Sequence, residues 1–416
     1  MGVPMSRTLA DHLDPATGPK RILALDGGGV KGILTLGMLE VLEAELRRRS
    51  GKDDLVLSDY FDLIGGTSTG AIIAAGLGVG ASVGDLIAMY RDLGPKVFGK
   101  TKGDGMLLGS KYDSKALKDA LWPVLDKKRL GSPLLRTGIA LHAKRIDTGS
   151  PWVLTNNPNA PYYDPPDRKP EDVPNKEYRL IDVVMASAAA PTFFDEIKIP
   201  ITYDKKDKPK TWGYFVDGAV GGFNNPGVQL LLTALVPVYG FGWRPGADNL
   251  MMASFGTGSR RPEVEGRKFA SQGPGFRGIG ALRAMIYDTQ VQGIMMLQAM
   301  SESQRPWKIN SEVGDLKDAC ITPAPLLDYQ RIDVMLEQKP KSKPRRGEAL
   351  ARNSIEKLLN RELDARVLES VDQLANGHPE NMKLLLEIGR KAAPAYVDAG
   401  WPDPKFDLPE WSAPRA

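Results

Sequence analysis

The stretch LALDGGGVKGIL, residues 23–34, decides how the chain is read. An apolar run gives way to three consecutive glycines and then resumes, which is how a buried strand turns sharply into a helix. Gly27, Gly29 and Gly32 satisfy G-x-G-x-x-G, the spacing that aims backbone N–H groups at a pyrophosphate. In a chain with 44 glycines such a match arises readily by chance, so its flanks must arbitrate.

Working outward, RILALD predicts a buried strand and residues 33–49 predict a helix. Met38, Leu42 and Leu46 recur at four-residue intervals, Arg47, Arg48 and Arg49 suit a helix C-terminus, and Ser50-Gly51 stops it. A second strand, YFDLIG, runs into GTSTG and a helix of small residues. Two consecutive strand–turn–helix units predict α/β layers around a mostly parallel sheet.

The second turn, Gly66-Thr67-Ser68-Thr69-Gly70, is a G-x-S-x-G nucleophile elbow between a strand and a helix. A serine on so sharp a bend projects its hydroxyl clear of the sheet, and the residues two before and two after nearly touch, so both must be small. The N–H of Thr69 becomes a candidate oxyanion donor at the positive end of the following helix. A dinucleotide fold instead wants a carboxylate at the end of its second strand. Asp26 would also set a negative charge beside a pyrophosphate. The preferred reading is therefore that the Gly27, Gly28 and Gly29 amides face Ser68 and stabilise a tetrahedral oxyanion.

Such a serine needs a base. The three histidines are poorly placed for it: His12 precedes the first strand, His378 stands near a predicted helix start, and His142, alternating along GIALHAKRI, reads as a structural histidine. Asp217, at the end of the apolar strand in YFVDGAVGGFNNP, can accept a proton and return it to a leaving group. Taken alone, an Asp-Gly pair reads more simply as a turn.

Composition bounds the rest. Hydrophobic residues are 42% and charged residues 25%, so a packed core rather than disorder is expected. A formal charge of +4 is too slight and dispersed to argue for nucleic acid, though it tolerates an anionic membrane. One cysteine, Cys320, excludes an intramolecular disulfide and fits a reducing compartment. The first 20 residues contain no apolar run of signal-peptide length, and Pro4 weakens the acylation pattern of Gly2 and Ser6. No transmembrane span is expected, because the most apolar window, residues 71–90, holds Asp85 and four glycines.

The expected organisation is a polar leader over 1–20, a main domain over 21–336, a basic proline-broken linker over 337–348 and a helical C-terminal extension over 349–416. KDKPK, 206–210, predicts a hairpin tip, and residues 155–174, with six prolines, a surface excursion. Met285, Met295, Met296 and Met300, at helical spacing, predict a core face, with a lid or acyl-chain wall as the alternative.

LDGGGVKG, FDLIGGTSTG, ASAAAPTFF (186–194) and VDGAVGGFNNP together resemble the four blocks of patatin-like phospholipases, in that family's order, over residues 20–335. The resemblance implies a three-layer α/β/α fold and a Ser-Asp dyad without histidine or metal. Ser68 would be the nucleophile, Asp217 the proton acceptor, and Gly27, Gly28 and Gly29 the oxyanion loop, with Gly32, Gly66, Gly70 and Gly218 supporting the motifs. Lys31 stands where many members carry arginine. The implied function is hydrolysis of glycerolipid acyl esters by a cytoplasmic enzyme acting at membrane surfaces, with phospholipid as the substrate partner and no cofactor. The alternatives are a nucleotide-activated phospholipase effector, with KPKSKPRR (339–346) as phosphate-binding material, and a non-catalytic lipid- or nucleotide-binding module.

Overall fold

The structure, a computed structural model, describes residues 7–99, 112–260, 271, 273–336, 355–361 and 363–411. The acylation pattern at the N-terminus and the basic segment 337–348 lie outside these residues.

Among the described residues nine strands form one sheet: β1 (Lys20–Leu25), β2 (Leu63–Thr67), β3 (Gly138–Arg145), β4 (Ser150–Thr155), β5 (Ile197–Tyr203), β6 (Pro209–Asp217), β7 (Leu250–Phe255), β8 (Ser301–Glu302) and β9 (Leu327–Ile332). At the centre β1 pairs in parallel with β2 and β7, β3 extends β2, and β9 extends β7. The antiparallel strands β4, β5 and β6 gather at the β3 end. Residues 206–210 lie in the connection between β5 and β6 and the start of β6, as the hairpin expectation required.

Every residue of β1 is buried because both faces of the sheet are covered. Leu23 and Leu25 point into one apolar layer with Leu34, Ile73, Leu86 and Val183 from flanking helices. Ile22 and Ala24 point the other way, against Leu230 and Leu297. Alternation along a single strand thus feeds two cores, which is the three-layer α/β/α arrangement.

The helix Gly32–Ser50 ends at Gly51, whose φ of 67° lets its N–H reach the Arg47 carbonyl at 2.8 Å. The second strand starts later than expected, at Leu63, because Leu57–Tyr60 forms a helical turn. Residues 7–20 do not trail as a leader: the helix Leu9–Leu13 buries His12, whose Nδ1 lies 3.0 Å from the Asp62 carboxylate.

The helices found beyond residue 354 share the main core. Leu385, Leu386 and Ile388 of the helix Pro379–Ala392 pack with Leu34 and Met38. At that crossing a Cβ on Gly37 or Gly389 would overlap the other helix's backbone, so glycine is what permits the close approach. The methionine expectation holds only at Met300, which packs against the core on the Leu230 side, and fails along the helix Pro274–Ala299. Met285 is 64% exposed, Met296 47%, and Met295 and Met300 are half-buried. Helical spacing identifies a face but not what covers it.

Candidate active site

Asp26, Ser68, Thr257 and Asp333 follow β1, β2, β7 and β9, so they cluster at the carboxyl ends of parallel strands, where open α/β sheets form their crevices. Ser68 adopts φ 56° and ψ −122°, a conformation that non-glycine residues take up only when the surroundings impose it. The imposition is visible: a Cβ on Gly66 would overlap the Gly70 carbonyl, and one on Gly70 would overlap the carbonyl of Leu25. Ser187, from the block ASAAAPTFF, completes the bend. Its Oγ accepts the Ser68 N–H at 3.0 Å and donates to the His142 carbonyl at 2.6 Å.

Register brings the carboxylate to the hydroxyl. β4 covers one flank of β3 from Ala140 to Arg145, so β2 and β6 must share the other. On that flank Thr67 stands opposite His142 and Asp217 opposite Ala143, consecutive residues of one strand. Ser68 and Asp217 therefore meet where β2 ends and β6 ends. Asp217 is buried, with its Oδ1 accepting the Ala219 N–H at 2.8 Å. Burial pushes its carboxyl up to about 6, and hydrogen bonds from the Ser68 side chain and Ala219 draw it back. A carboxylate so tuned is ionised at neutral pH yet basic enough to take a proton. Gly218 is needed beside it, since a Cβ there would press on the His142 carbonyl.

The glycine turn lies against this pair: a Cβ on Gly27 would sit 3.2 Å from that of Ser68. One of its expected donors is already engaged. The Gly27 N–H donates to the Asn224 carbonyl at 2.9 Å, and the Gly27 carbonyl accepts from Thr257 Oγ1 at 3.1 Å. The N–H groups of Gly28, Gly29 and Thr69 have no protein acceptor among the described residues, so these three are free to bond a ligand. Gly32 packs on the Thr69 side chain, which ties the two turns together.

None of the histidines hydrogen-bonds Ser68 or Asp217. His142 is buried with Nδ1 3.3 Å from the Gly66 carbonyl, and burial lowers it to about 4, leaving it neutral. His378 caps the helix Pro379–Ala392. Asp26 pairs with Arg331 of β9, Nη1 to Oδ1 at 3.0 Å and Nη2 to Oδ2 at 2.6 Å; burial pushes Asp26 up to about 6 and Arg331 limits the rise. Lys31 donates to the Gly258 carbonyl at 3.1 Å and lies 3.5 Å from Asp372. Sequence reading missed Ser187, Asn224 and Arg331. Ser187 sat within a quoted block, whereas nothing in the local pattern marked Arg331. No group of three or more His, Cys, Asp or Glu among the described residues could hold a metal ion, and no helix there is long and apolar enough to cross a membrane.

Comparison with known proteins gives a match to the patatin-like phospholipase family over residues 23–231, half of the chain. Patatin-T5 from Solanum tuberosum is 32% identical over 220 residues, covering 51% of this chain and 52% of the relative. Patatin-17 from Solanum cardiophyllum is 30% identical over 220 residues, with the same coverage. The chain thus spans about half the length of the curated relatives it matches. Human GIVD cytosolic phospholipase A2, solved in complex with methyl gamma-linolenyl fluorophosphonate, aligns with 94% of this chain and 58% of its own at 12% identity and a TM-score of 0.41, too distant to carry an argument.

Proposed function

The chain belongs to the patatin-like phospholipase family, and from that premise we propose that it hydrolyses acyl esters of glycerolipids with a Ser68–Asp217 dyad. The observation that carries the reading is the shared flank of β3, on which the hydroxyl and the carboxylate converge. Ser68 Oγ attacks the ester carbonyl carbon while Asp217 takes its proton. The N–H groups of Gly28, Gly29 and Thr69 receive the oxyanion, preorganised before charge develops. As the tetrahedral intermediate collapses, Asp217 returns the proton to the departing alcohol, leaving an acyl group on Ser68. Water then attacks that ester, losing its proton to Asp217, and as the second tetrahedral intermediate collapses Asp217 passes that proton to the departing Ser68 Oγ, so the fatty acid leaves and both residues are restored.

The substrate is met at a lipid surface. Phe276 and Met285, 56% and 64% exposed on the helix whose Gln290 touches the glycine turn, support that orientation. The test is release of fatty acid from phospholipid vesicles and of nitrophenol from a short p-nitrophenyl ester. Turnover is expected from the native chain and not from Ser68→Ala or Asp217→Asn; activity surviving in either variant overturns the dyad.

A further inference from the structure

Asp26 precedes Gly27 at the end of β1, and Asn224, in the loop that follows Asp217, packs against Gly27. A single side chain joins them. Gln290, on the helix Pro274–Ala299, donates from Nε2 to Asp26 Oδ2 at 3.2 Å and accepts at Oε1 from Asn224 Nδ2 at 2.9 Å. From these contacts we infer that Gln290 is a positioning residue for the oxyanion loop, acting through Asp26 and Asn224 without touching the ester. The inference rests on the hydrolase reading above.

The hydrogen bonds close a ring. Asn224 holds the Gly27 N–H through its carbonyl and Gln290 through its side-chain amide, Gln290 holds Asp26, and Asp26 is bonded to Gly27. The ring encloses the Asp26–Gly27 peptide, whose orientation sets where the next N–H, that of Gly28, the first free donor of the turn, points. A small rotation of that peptide would swing the donor away from the hydroxyl, and misplacement by about 1 Å can cost on the order of 100-fold in rate. The same ring fixes Asn224, seven residues after Asp217 in a glycine-rich loop, so donor and base are aligned together.

The amide of Gln290 meets both demands at once. A carboxylate can only accept, so the group facing Asp26 must donate, while the group facing the Asn224 amide must accept. Gln290 lies beyond residues 23–231 and is half-buried. Its side chain makes these two polar contacts.

Two variants separate positioning from packing. Gln290→Met keeps the volume and removes both hydrogen bonds; kcat is expected to fall about tenfold or more with KM and melting temperature nearly unchanged. Gln290→Glu keeps the acceptor toward Asn224 and sets a carboxylate against Asp26, where the other charged groups among the described residues are Arg331 and Asp333. As pH falls from about 8 to about 5.5, the introduced carboxyl gains a proton and can donate to Asp26. The activity of Gln290→Glu relative to the native chain at each pH should then rise, while that of Gln290→Met stays flat.

The measurement uses a p-nitrophenyl ester and phospholipid vesicles with the native chain, Ser68→Ala and both Gln290 variants. A native kcat retained by Gln290→Met, a loss confined to KM, or a flat ratio for Gln290→Glu overturns the positioning role. Should Gln290→Met fold poorly, the pH trend of Gln290→Glu decides alone. A native chain no faster than Ser68→Ala overturns the hydrolase reading and this inference with it, whereas native turnover with an unaffected Gln290→Met overturns this inference only.

Discussion

Residues up to 231 and those beyond it meet at one glycine turn, and they do different work there. The earlier part carries the hydroxyl of Ser68, the carboxylate of Asp217 and the amides of Gly28 and Gly29. The later part holds that turn in place: Thr257 bonds Gly27, Arg331 and Gln290 bond Asp26, and the Leu374 carbonyl accepts the Val30 N–H at 2.9 Å. The proposed reacting groups come in short motifs because a sharp bend tolerates only small residues at fixed spacing. The supports are scattered because a buried carboxylate needs a cation, whichever strand supplies it.

The largest effect that would test this contrast is loss of the proposed nucleophile. Ser68→Ala should lower kcat by about 10⁴-fold or more while leaving the fold intact, measured by ester turnover and by circular dichroism. The strongest challenge to it comes from the supporting half. Arg331 is fully buried between Asp26 and Asp333, so Arg331→Met leaves two carboxylates without their cation and should destabilise the chain by about 3–5 kcal/mol in urea unfolding. If instead Arg331→Met keeps native stability and loses only activity, the division between reacting and supporting halves is wrong.

Legibility in the sequence follows the same division. Strand–turn–helix punctuation at residues 23–34 and 60–70 announced a parallel sheet, because glycine spacing and apolar runs are local signals. The meeting of Ser68 and Asp217 became visible through family blocks, since nothing in either neighbourhood states that β2 and β6 share a flank of β3. Gly27 was read as a donor because the amides of a glycine turn look equivalent in sequence; which one is engaged depends on Asn224, nearly 200 residues away. The helix Pro379–Ala392 was legible as part of a helical extension but not as a partner of Gly32–Ser50, because a helical pattern does not name what it packs against.

Asp217 sharpens the comparison by tying reactivity to a stability cost. Its carboxyl is raised from an ordinary 3.8 to about 6, so the folded chain holds a proton that the unfolded chain releases. The stability from this group is full below pH 3.8 and is lost as pH rises through about 6, a difference of about 3 kcal/mol at neutral pH. Turnover runs the other way, rising as Asp217 ionises near pH 6. Asp217→Asn, which keeps an oxygen for the Ala219 N–H, should therefore be inactive yet about 2–3 kcal/mol more stable than the native chain at pH 8 by urea unfolding. Unchanged stability would mean that the carboxylate is not held against its own solvation.

His142 supplies the smallest effect and the opposite slope. Its folded value of about 4 lies below an ordinary 6.5, so the unfolded chain binds the extra proton. Its stability is full above pH 6.5 and falls as pH drops toward 4, by about 2 kcal/mol at pH 5. A glutamine side chain at this position cannot protonate and can still donate to the Gly66 carbonyl, so His142→Gln should keep turnover within about threefold at pH 8 and gain stability relative to the native chain only on acidification. The two slopes overlap between pH 4 and 6 and partly cancel in the native chain, so pH-dependent unfolding of the native protein alone cannot assign either. Unfolding curves of Asp217→Asn and His142→Gln taken together can: the first should remove the loss of stability on the alkaline side, the second the loss on the acid side. A large fall in turnover for His142→Gln at pH 8 would instead make the histidine a working part of the site and place the carboxylate in a supporting role.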